Sequence, residues 1–429
     1  MTNSKDFSVA VVGGGIGGLT LAIGLYEAGV KVTIFESAPQ FAEIGAGIAI
    51  GPNAQNALKA LGLYEDFLKF ADFPDRNLFF EWRMGETPDE TFLSETTCKQ
   101  YGMASIHRAE LLETFVKKVP KEICQFGKRV RQIVPLDGKE QVELHFEDGT
   151  THTTDLVIGC DGIHSRVRGA LDANKAGPSA VSGSDNLQWS GTWAYRGLIP
   201  RGKFVEAVGE KGEFYAKTAQ MFLAKNSHIL IFPIQGGKTV NLVAFRTDRS
   251  HWPERTKFPK GQPWIQETEK QALMDDFSDY SPNVRRMLEC IEKPSKWALH
   301  QIIPPLQSYV NGRVLVTGDA AHGGTPHQGA MAGQAIEDAL FVTRLLSNPA
   351  VNNANLTKAL GAVDAIRVPR ANFVMESSLE AGDTYEFMGQ FQDDPAKLGK
   401  HLSERFDVVW DYDHDDEHRR LQQWIDQHL

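Results

Sequence analysis

The sequence predicts an α/β protein: a discontinuous Rossmann-type domain, an antiparallel β-sheet domain inserted into it, and a C-terminal helical tail. Three observations predict this organisation. A glycine-rich loop lies between an apolar strand and a helix near the N-terminus, and residues 189–245 then change to a β-rich pattern. A buried strand and a long helix return at residues 313–346. A chain of 429 residues is long enough for two or three packed units.

The opening segment has the pattern of a βαβ unit. Residues 7–12 form an apolar run typical of a buried strand, and residues 16–28 have the composition of a helix that Gly29 ends. Residues 31–35 alternate as a second strand. Two strands joined by a helix in this way predict the start of a parallel sheet.

The loop inside this unit reads GGGIGG over residues 13–18 and satisfies the spacing G-x-G-x-x-G. Gly13 allows the tight turn, Gly15 lets backbone N–H groups approach a pyrophosphate, and Gly18 lets the helix pack closely on the strand. Glu36 ends the second strand, where a carboxylate can accept hydrogen bonds from ribose hydroxyls. Strand, loop, helix and acidic residue together predict a dinucleotide site, although NAD and FAD use the same unit.

Later segments are predicted from the same periodicities. Helices are expected at residues 53–63, 109–119 and 328–346, and strands at residues 142–146, 156–160, 193–199, 220–223, 228–234, 239–245 and 313–317. The four strands within residues 193–245 are separated by glycine-containing turns, which indicates an antiparallel sheet. Because the buried strand at 313–317 follows that sheet, the first domain is predicted to be discontinuous.

Composition and charge exclude several classes of function. The formal net charge is −10 and the basic residues are scattered, so a nucleic-acid partner is not expected. Four cysteines lie far apart without a C-x-x-C pair, which argues against a disulfide framework or a metal site and favours the cytoplasm. No run of about 18 apolar residues is present, so no membrane span is expected. The acidic run at residues 411–417, with His414 and His418, is interpreted as a solvated charged face and not as a metal site.

Two further segments suggest which dinucleotide is bound. Residues 43–48 are interrupted by glycines, Gly47 among them, and missing side chains would let the backbone lie against a flat ring system. Arg108 lies at a predicted helix start, a position that usually favours acidic residues, so a nearby anion is expected.

Three separated stretches resemble the single-component FAD-dependent aromatic hydroxylases, and most closely their salicylate-hydroxylase-like branch. They are the glycine loop with Glu36, residues 160–168 (CDGIHSRVR), and residues 318–322 (GDAAH) followed by residues 326–329 (PHQG). Their order and spacing cover the chain from about residue 9 to residue 346.

The resemblance implies a set of FAD contacts and a domain division. Arg108, Asp161 and Asp319 become cofactor contacts, and backbone amides around Gly329 and Ala332 would face the flavin at a second helix start. The FAD-binding domain is expected at residues 1–75, 100–182 and 290–346, the substrate-binding β-sheet domain at 76–99 and 183–289, and the C-terminal helical region at 347–429.

Substrate residues are predicted on the inserted sheet and after the last buried strand. Arg196 lies among aromatic residues, and a guanidinium there suits a carboxylate or phenolate, although pairing with a structural acid is an alternative. His327, after Pro326, could orient or deprotonate a phenol, or could serve as a structural histidine. Phe232 occupies a position where some relatives have tyrosine, and Met331 one where glycine is common, so both are expected to shape the pocket.

The resemblance also implies the reaction. NADH or NADPH would reduce bound FAD, and a C4a-hydroperoxyflavin formed with dioxygen would hydroxylate a small phenolic or hydroxybenzoate-type aromatic, with or without decarboxylation. No second G-x-G-x-x-G unit is present, so NAD(P)H is expected to bind transiently. A fungal-type monooxygenase of a secondary-metabolite phenol or heteroaromatic ring, and an FAD dehydrogenase or oxidase, are the alternatives. A monomer or homodimer is expected.

Overall fold

The computed structural model describes residues 5–41, 47–100, 102–136, 138–171, 186–251, 254, 257–389, 391 and 394–429. The strands are β1 Ser8–Val12, β2 Lys31–Phe35, β3 Gly47–Ile50, β4 Leu78–Met84, β5 Phe92–Thr97, β6 Ala104–His107, β7 Cys124–Gln125, β8 Val130–Pro135, β9 Val142–Phe146, β10 Thr151–Thr154, β11 Leu156–Gly159, β12 Leu187–Pro200, β13 Gln220–Ala224, β14 Ser227–Ile234, β15 Thr239–Thr247, β16 Ile265–Glu267, β17 Ser295–Ile302, β18 Val310–Asn311 and β19 Val314–Val316.

The helices are α1 Ile16–Glu27, α2 Pro52–Ala60, α3 Tyr64–Leu68, α4 Arg108–Val116, α5 Arg201–Val208, α6 Gly212–Lys217, α7 Lys270–Asp276, α8 Pro282–Glu289, α9 Asp319–His322, α10 Met331–Ser347, α11 Leu356–Ala362, α12 Val368–Tyr385, α13 Pro395–Glu404, α14 Asp407–Trp410 and α15 His414–His428. A π-helical turn, Val363–Arg367, joins α11 to α12.

The first sheet has six strands in the order β18-β19-β11-β1-β2-β7, parallel except for β18. Val12 at the end of β1 pairs with both Phe35 and Gly159, and Gly159 pairs in turn with Val316. Four strands therefore end level with one another. The residues that follow them meet at one edge of the sheet, which is where ligands bind in open α/β sheets.

The second sheet has eight strands in the order β16-β17-β12-β15-β14-β13-β4-β5. All neighbours are antiparallel except β4 and β13, which are parallel. Alternate residues point to opposite faces of a strand, so Ile229 and Ile231 face a core shared with α5–α8. Leu230 and Phe232 face the other way, towards a core that includes α12, α13 and α14.

The fold class is confirmed, with differences in the extent of particular elements. The strand expected at 193–199 extends over Leu187–Pro200, and the helix expected from residue 328 begins at Met331 because residues 323–330 form a loop. The last long strand of the inserted sheet, β17, lies beyond residue 289 and pairs with β12 and β16. We therefore propose that the boundary of the inserted domain follows Ile302 and not residue 289.

The interpretation of residues 411–417 as a solvated face is wrong for Glu417 and His414. Glu417 is buried and accepts hydrogen bonds from Arg367 and from the Tyr412 hydroxyl, at 2.9 and 2.7 Å. His414 is buried and lies 2.8 Å, Nε2 to O, from the Asn53 carbonyl. The helix α15 thus packs two of these residues inward, because the guanidinium of Arg367 provides a buried countercharge that the linear pattern does not reveal.

Candidate active site

The glycine loop follows β1 at the edge where the parallel strands end. Gly13 has φ of +104°, and a Cβ at this position would lie 2.4 Å from the Cys160 carbonyl oxygen. A Cβ on Gly18 would lie 2.0 Å from the Gly13 carbonyl oxygen. Gly15 is the N-cap of α1, so the first N–H groups of that helix point out of the loop. The loop has the close backbone packing and the exposed amides that a pyrophosphate needs.

Glu36 lies beside this loop. Its carboxylate accepts hydrogen bonds from the backbone N–H of Gly14 at 2.8 Å and of Ala38 at 2.7 Å. These bonds hold the carboxylate at the end of β2, next to the start of α1. Contact of Glu36 with a ribose stays a prediction.

Asp161 and Asp319 follow β11 and β19 at the same edge, but their surroundings differ. The Asp161 carboxylate accepts hydrogen bonds from the Ser165 hydroxyl and from the N–H groups of Arg166 and Val167, so it braces the turn that follows β11. Asp319, the first residue of α9, has an exposed side chain. Its carboxylate is therefore accessible to a polyol chain, whereas direct contact of Asp161 with FAD stays a prediction.

A second helix start lies near this edge. The Gly329 N–H donates to the Pro326 carbonyl at 2.9 Å, and Gly329 has φ of +63°, which closes a tight turn before α10. Ala332 is the second residue of α10, so its N–H belongs to the first turn, which has no intrahelical acceptor. Met331 packs against the core on the α12 side of the inserted sheet.

Gly47 and Phe232 contact each other. A Cβ on Gly47 would lie 2.9 Å from the Phe232 ring, so the glycine permits close approach of an aromatic side chain of the inserted sheet. Phe232 also lines a cavity of about 290 Å³ together with Ala49, Phe80 and Met103. Residues 43–46, the rest of the predicted glycine-interrupted stretch, lie outside the described residues. Contact of Gly47 with FAD stays a prediction.

Two arginines from different domains interact electrostatically. Burial, and then the like charge of Arg108, lower the pKa of Arg196. The Arg196 guanidinium lies 4.9 Å from the ring centre of Trp297, and its Nε is buried with no hydrogen-bond partner among the residues that the structure describes. Two neighbouring guanidinium groups are stabilised by an anion between or beside them. The donor set therefore fits a phosphate or a carboxylate at the interface of the two domains.

The face of the inserted sheet on the α12 side forms a continuous row of side chains. Strand register places Arg196, Val243, Leu230, Met221 and Trp82 directly beside one another across five strands. The row is cationic at one end and apolar along the rest. Leu230, Met221 and Trp82 are buried in the core shared with α12–α14, so only the Arg196–Val243 end of the row is partly exposed.

His327 lies buried at the junction of this face, the loop 323–330 and α12. Its ring centre is 5.2 Å from that of Phe245, and its Nδ1 is 3.2 Å from Nε2 of His228. His228 Nδ1 in turn is 3.0 Å from Oε1 of Glu386. A Cβ on Gly382 would lie 2.5 Å from Cδ2 and 2.6 Å from Nε2 of His327. The imidazole is therefore fixed on several sides.

Sequence reasoning did not identify His228, Glu386 or Arg249. Arg249 donates to Oε2 of Glu386 at 2.5 Å and also pairs with Asp383. His228 carried a usable signal, because it alternates with Leu230 and Phe232 on a predicted strand and so shares their face. Glu386 follows α12 in the tail, where local pattern gives no indication of a buried partner 158 residues away.

Two properties of the described part of the chain bear on the predicted ligands and location. Within it, no group of three histidine, cysteine, aspartate or glutamate side chains is arranged to hold a metal ion. None of its helices combines the length and apolar character required to cross a bilayer.

Comparison with known proteins identifies the family. Residues 6–378 match the family model described as FAD binding domain. The chain is 40% identical to a salicylate hydroxylase of Pseudomonas putida, over 97% of this chain and 95% of that protein. It is 36% identical to the 6-methylsalicylate 1-monooxygenase atA of Aspergillus terreus, over 98% of this chain and 92% of that protein.

A solved structure agrees with the sequence relatives. The fold superposes on a salicylate hydroxylase substrate complex with a TM-score of 0.86 and 36% identity, covering 97% of this chain and 98% of that one. These relatives are monooxygenases by name and do not favour the dehydrogenase or oxidase alternative. The chain belongs to the FAD-binding family, and within it to the single-component FAD-dependent aromatic hydroxylases of the salicylate-hydroxylase-like branch.

Proposed function

We propose that this enzyme hydroxylates a small ortho-hydroxybenzoate, using NADH or NADPH and dioxygen. The observation that carries the proposal is the position of His327. It lies against Phe245 and His228, in the row next to the one that begins with Arg196 on the same face, and it is hydrogen-bonded through a second imidazole to a carboxylate. A cation and a base at one apolar face suit a substrate that carries both a carboxylate and a phenol.

The residues proposed to hold the cofactor are those at the edge of the parallel sheet. The pyrophosphate would fit against Gly13, Gly15 and Gly18, which carry no side chains. Glu36 would accept hydrogen bonds from the ribose, and Asp319 from the ribityl chain. Bound FAD would supply the hydride acceptor for the nicotinamide and the group that activates dioxygen.

The chain's own residues would then position and ionise the substrate. Arg196 would bind the carboxylate. Phe232, which lines the cavity of about 290 Å³, and Pro326, which directly precedes His327, are proposed as further substrate contacts. His327 would accept the phenol proton, because phenolate is more electron-rich at the carbon that is hydroxylated. The apolar side chains beside Arg196 on this face would exclude water from the reacting ring.

Product analysis over a substrate panel tests the proposal. The panel contains salicylate, 6-methylsalicylate, other hydroxybenzoates, resorcinol and a hydroxypyridine, each scored for oxygenated product and released carbon dioxide. We expect the highest kcat/KM for an ortho-hydroxybenzoate. Oxygenated product only from the panel members that lack a carboxylate would refute the proposal. NAD(P)H oxidation without oxygenated product from any panel member would also refute it.

Arg196→Ala and Arg196→Lys separate substrate binding from cofactor binding. We expect the KM of the best substrate to rise at least tenfold in the alanine variant and less in the lysine variant, with flavin content unchanged. Loss of flavin with an unaltered KM in the remaining holoenzyme would instead assign Arg196 to the cofactor.

The proposal also covers the cellular location and the oligomeric state of the enzyme. We propose a cytoplasmic enzyme that acts as a monomer or homodimer. Cell fractionation and sedimentation of the holoenzyme test these two statements.

A further inference from the structure

Three side chains from separate segments form a buried chain of hydrogen bonds. They are His327 in the loop before α10, His228 on β14 and Glu386 directly after α12. The contacts are 3.2 Å between the two imidazoles and 3.0 Å between His228 and the carboxylate. The side chains of His228 and Glu386 are both 0% exposed. No solvent therefore competes for these bonds.

The direction of the chain follows from donor and acceptor chemistry. An ionised carboxylate can only accept, so Nδ1 of His228 must carry a proton that it donates to Glu386. When His228 is neutral, its Nε2 can only accept, so Nδ1 of His327 donates to it. This order leaves the second nitrogen of His327, Nε2, as the acceptor of that ring. The carboxylate thus fixes the tautomer of an imidazole that it does not touch.

Neighbouring groups keep Glu386 ionised. Its Oε1 accepts from the Thr247 hydroxyl at 2.9 Å, and its Oε2 accepts from Arg249 at 2.5 Å. Burial alone would raise the pKa of Glu386, but the hydrogen bond from His228 and the charge and hydrogen bond of Arg249 lower it. Burial also raises the pKa of Tyr385, whose ring centre lies 6.5 Å from that of His327, so this phenol stays neutral.

The orientation of the His327 ring is fixed independently. A Cβ on Gly382 would lie 2.5, 2.6 and 3.0 Å from Cδ2, Nε2 and Cγ, and comparable distances to three ring atoms place Gly382 over the ring face. The two nitrogens of an imidazole point in widely different directions, so Nε2 is directed away from His228. The ring plane and the tautomer are therefore both set before a ligand binds.

We propose that Glu386 and His228 are positioning residues that make Nε2 of His327 the base for the substrate phenol. This inference rests on the proposed function. The phenol proton passes to Nε2 of His327, and the proton on Nδ1 of His327 passes to Nε2 of His228. The products are a phenolate and an imidazolium at His228, whose charge is neutralised by the Glu386 carboxylate. No electrons are transferred in this step.

The test compares three holoenzyme variants with the wild type. Glu386→Gln removes the charge, and His228→Gln keeps a donor and an acceptor but cannot take up a proton. Thr247→Val is the matched control, because it removes a neutral hydrogen bond to the same carboxylate oxygen and leaves the imidazole chain intact. The ligand is 5-nitrosalicylate, whose phenolate absorbs visible light.

The expected signature is a change in phenol ionisation and not only in stability. The apparent pKa of the bound phenol should rise by at least about one unit in Glu386→Gln and His228→Gln, and stay unchanged in Thr247→Val. The kcat near pH 7 should fall at least tenfold in the first two variants and recover as pH rises, with a smaller change in KM. A bound phenol that ionises as in the wild type in both variants would overturn the proposal.

A measurement on the wild-type holoenzyme covers the case in which the variants do not fold. Ring ¹⁵N shifts of the histidines should show His228 and His327 protonated at Nδ1 and unprotonated at Nε2. A His327 ring protonated at Nε2 in the neutral state would contradict the inferred direction. The wild-type enzyme also shows whether the proposed function itself is wrong. In that case it would give no hydroxylated product from any ortho-hydroxybenzoate, even if the ¹⁵N shifts were as expected.

Discussion

The edge of the parallel sheet and the imidazole pair below the inserted sheet are assembled in different ways. At the edge, each functional residue lies within a few residues of the end of a strand, and the register of β1, β2, β11 and β19 brings these residues together. At the imidazole pair, His327 and His228 are 99 residues apart and His228 and Glu386 are 158 apart. The first region depends on backbone geometry, and the second depends on side chains from three packed segments.

Because the edge of the parallel sheet depends on backbone geometry, we expect it to tolerate substitution less well than the imidazole pair. Gly13→Ala places a Cβ 2.4 Å from the backbone of Cys160 at a residue with φ of +104°, so the loop must move away from β11. We expect the purified variant to contain little or no flavin, measured by visible absorbance after incubation with FAD.

Gly62→Ala is the matched control for this prediction. Gly62 also has a positive φ, of +70°, but a Cβ there meets nothing within 4 Å. We expect a loss of about 1 kcal/mol of stability and full flavin content. Equal flavin content in both variants would show that close packing at Gly13 is not required.

The buried ion cluster behind α10 gives the next largest effect. Arg367 contacts Glu337, Asp338 and Glu417 at 2.9, 3.0 and 2.9 Å, joining α10 to α15. Glu417→Gln leaves Arg367 with one countercharge fewer in a dry environment. We expect a loss of about 3 kcal/mol in the free energy of unfolding.

Asp415→Asn is the control for the ion cluster, because Asp415 lies in the same first turn of α15 but is exposed. Its urea midpoint should stay close to that of the wild type. Similar midpoints for Glu417→Gln and Asp415→Asn would mean that the charge of Glu417 in the cluster adds no stability.

The imidazole pair should respond in rate and not in flavin content. Gly382→Ala introduces a Cβ 2.5 Å from the His327 ring, whereas alanine in a helix would otherwise stabilise by about 1 kcal/mol. We expect kcat to fall on the order of tenfold, since a small displacement of a reacting group is costly, with flavin retained. Steady-state kinetics and visible spectra measure both.

Gly202→Ala in α5 is the helical control, because a Cβ there meets nothing within 4 Å. It should leave kcat unchanged and the protein at least as stable. If Gly382→Ala showed the same unchanged kcat, the orientation of His327 would not limit turnover.

The same contrast explains which parts of the molecule the sequence predicts. Gly13, Gly18 and Glu36 could be placed because their geometry is local: a turn, a helix start and a strand end within one βαβ unit. Arg196 could be placed on a strand, but not beside Arg108, because that proximity depends on how two domains dock.

The C-terminal region was the least predictable. Its helices were expected, yet Glu386 and Glu417 look like ordinary surface acids in a charged tail, and only tertiary structure gives them His228, Arg249 and Arg367 as partners. An acidic side chain can be buried only where a countercharge lies beside it, and here that countercharge is distant in sequence.

The smallest expected effect concerns an aromatic contact between the inserted sheet and the stretch that follows β11. His300 on β17 stacks on Trp264 with ring centres 3.4 Å apart, and Trp264 lies 4.2 Å from His164 of the stretch that follows β11. Burial lowers the pKa of His300 to about 4. An unfolded histidine titrates near 6.5, so between these values the unfolded state binds more protons, and stability falls as pH decreases from about 6.5 to 4.

His300→Phe keeps a ring for stacking but removes the titration. We expect the difference in the free energy of unfolding between pH 7 and pH 5 to become smaller by about 1 kcal/mol, measured by urea unfolding at both pH values. Trp264→Leu removes the stacked ring and serves as the comparison: it should lower stability at both pH values. An unchanged pH profile in His300→Phe would mean that the pKa of His300 is the same in the folded and unfolded states, and that burial in the aromatic stack does not lower it.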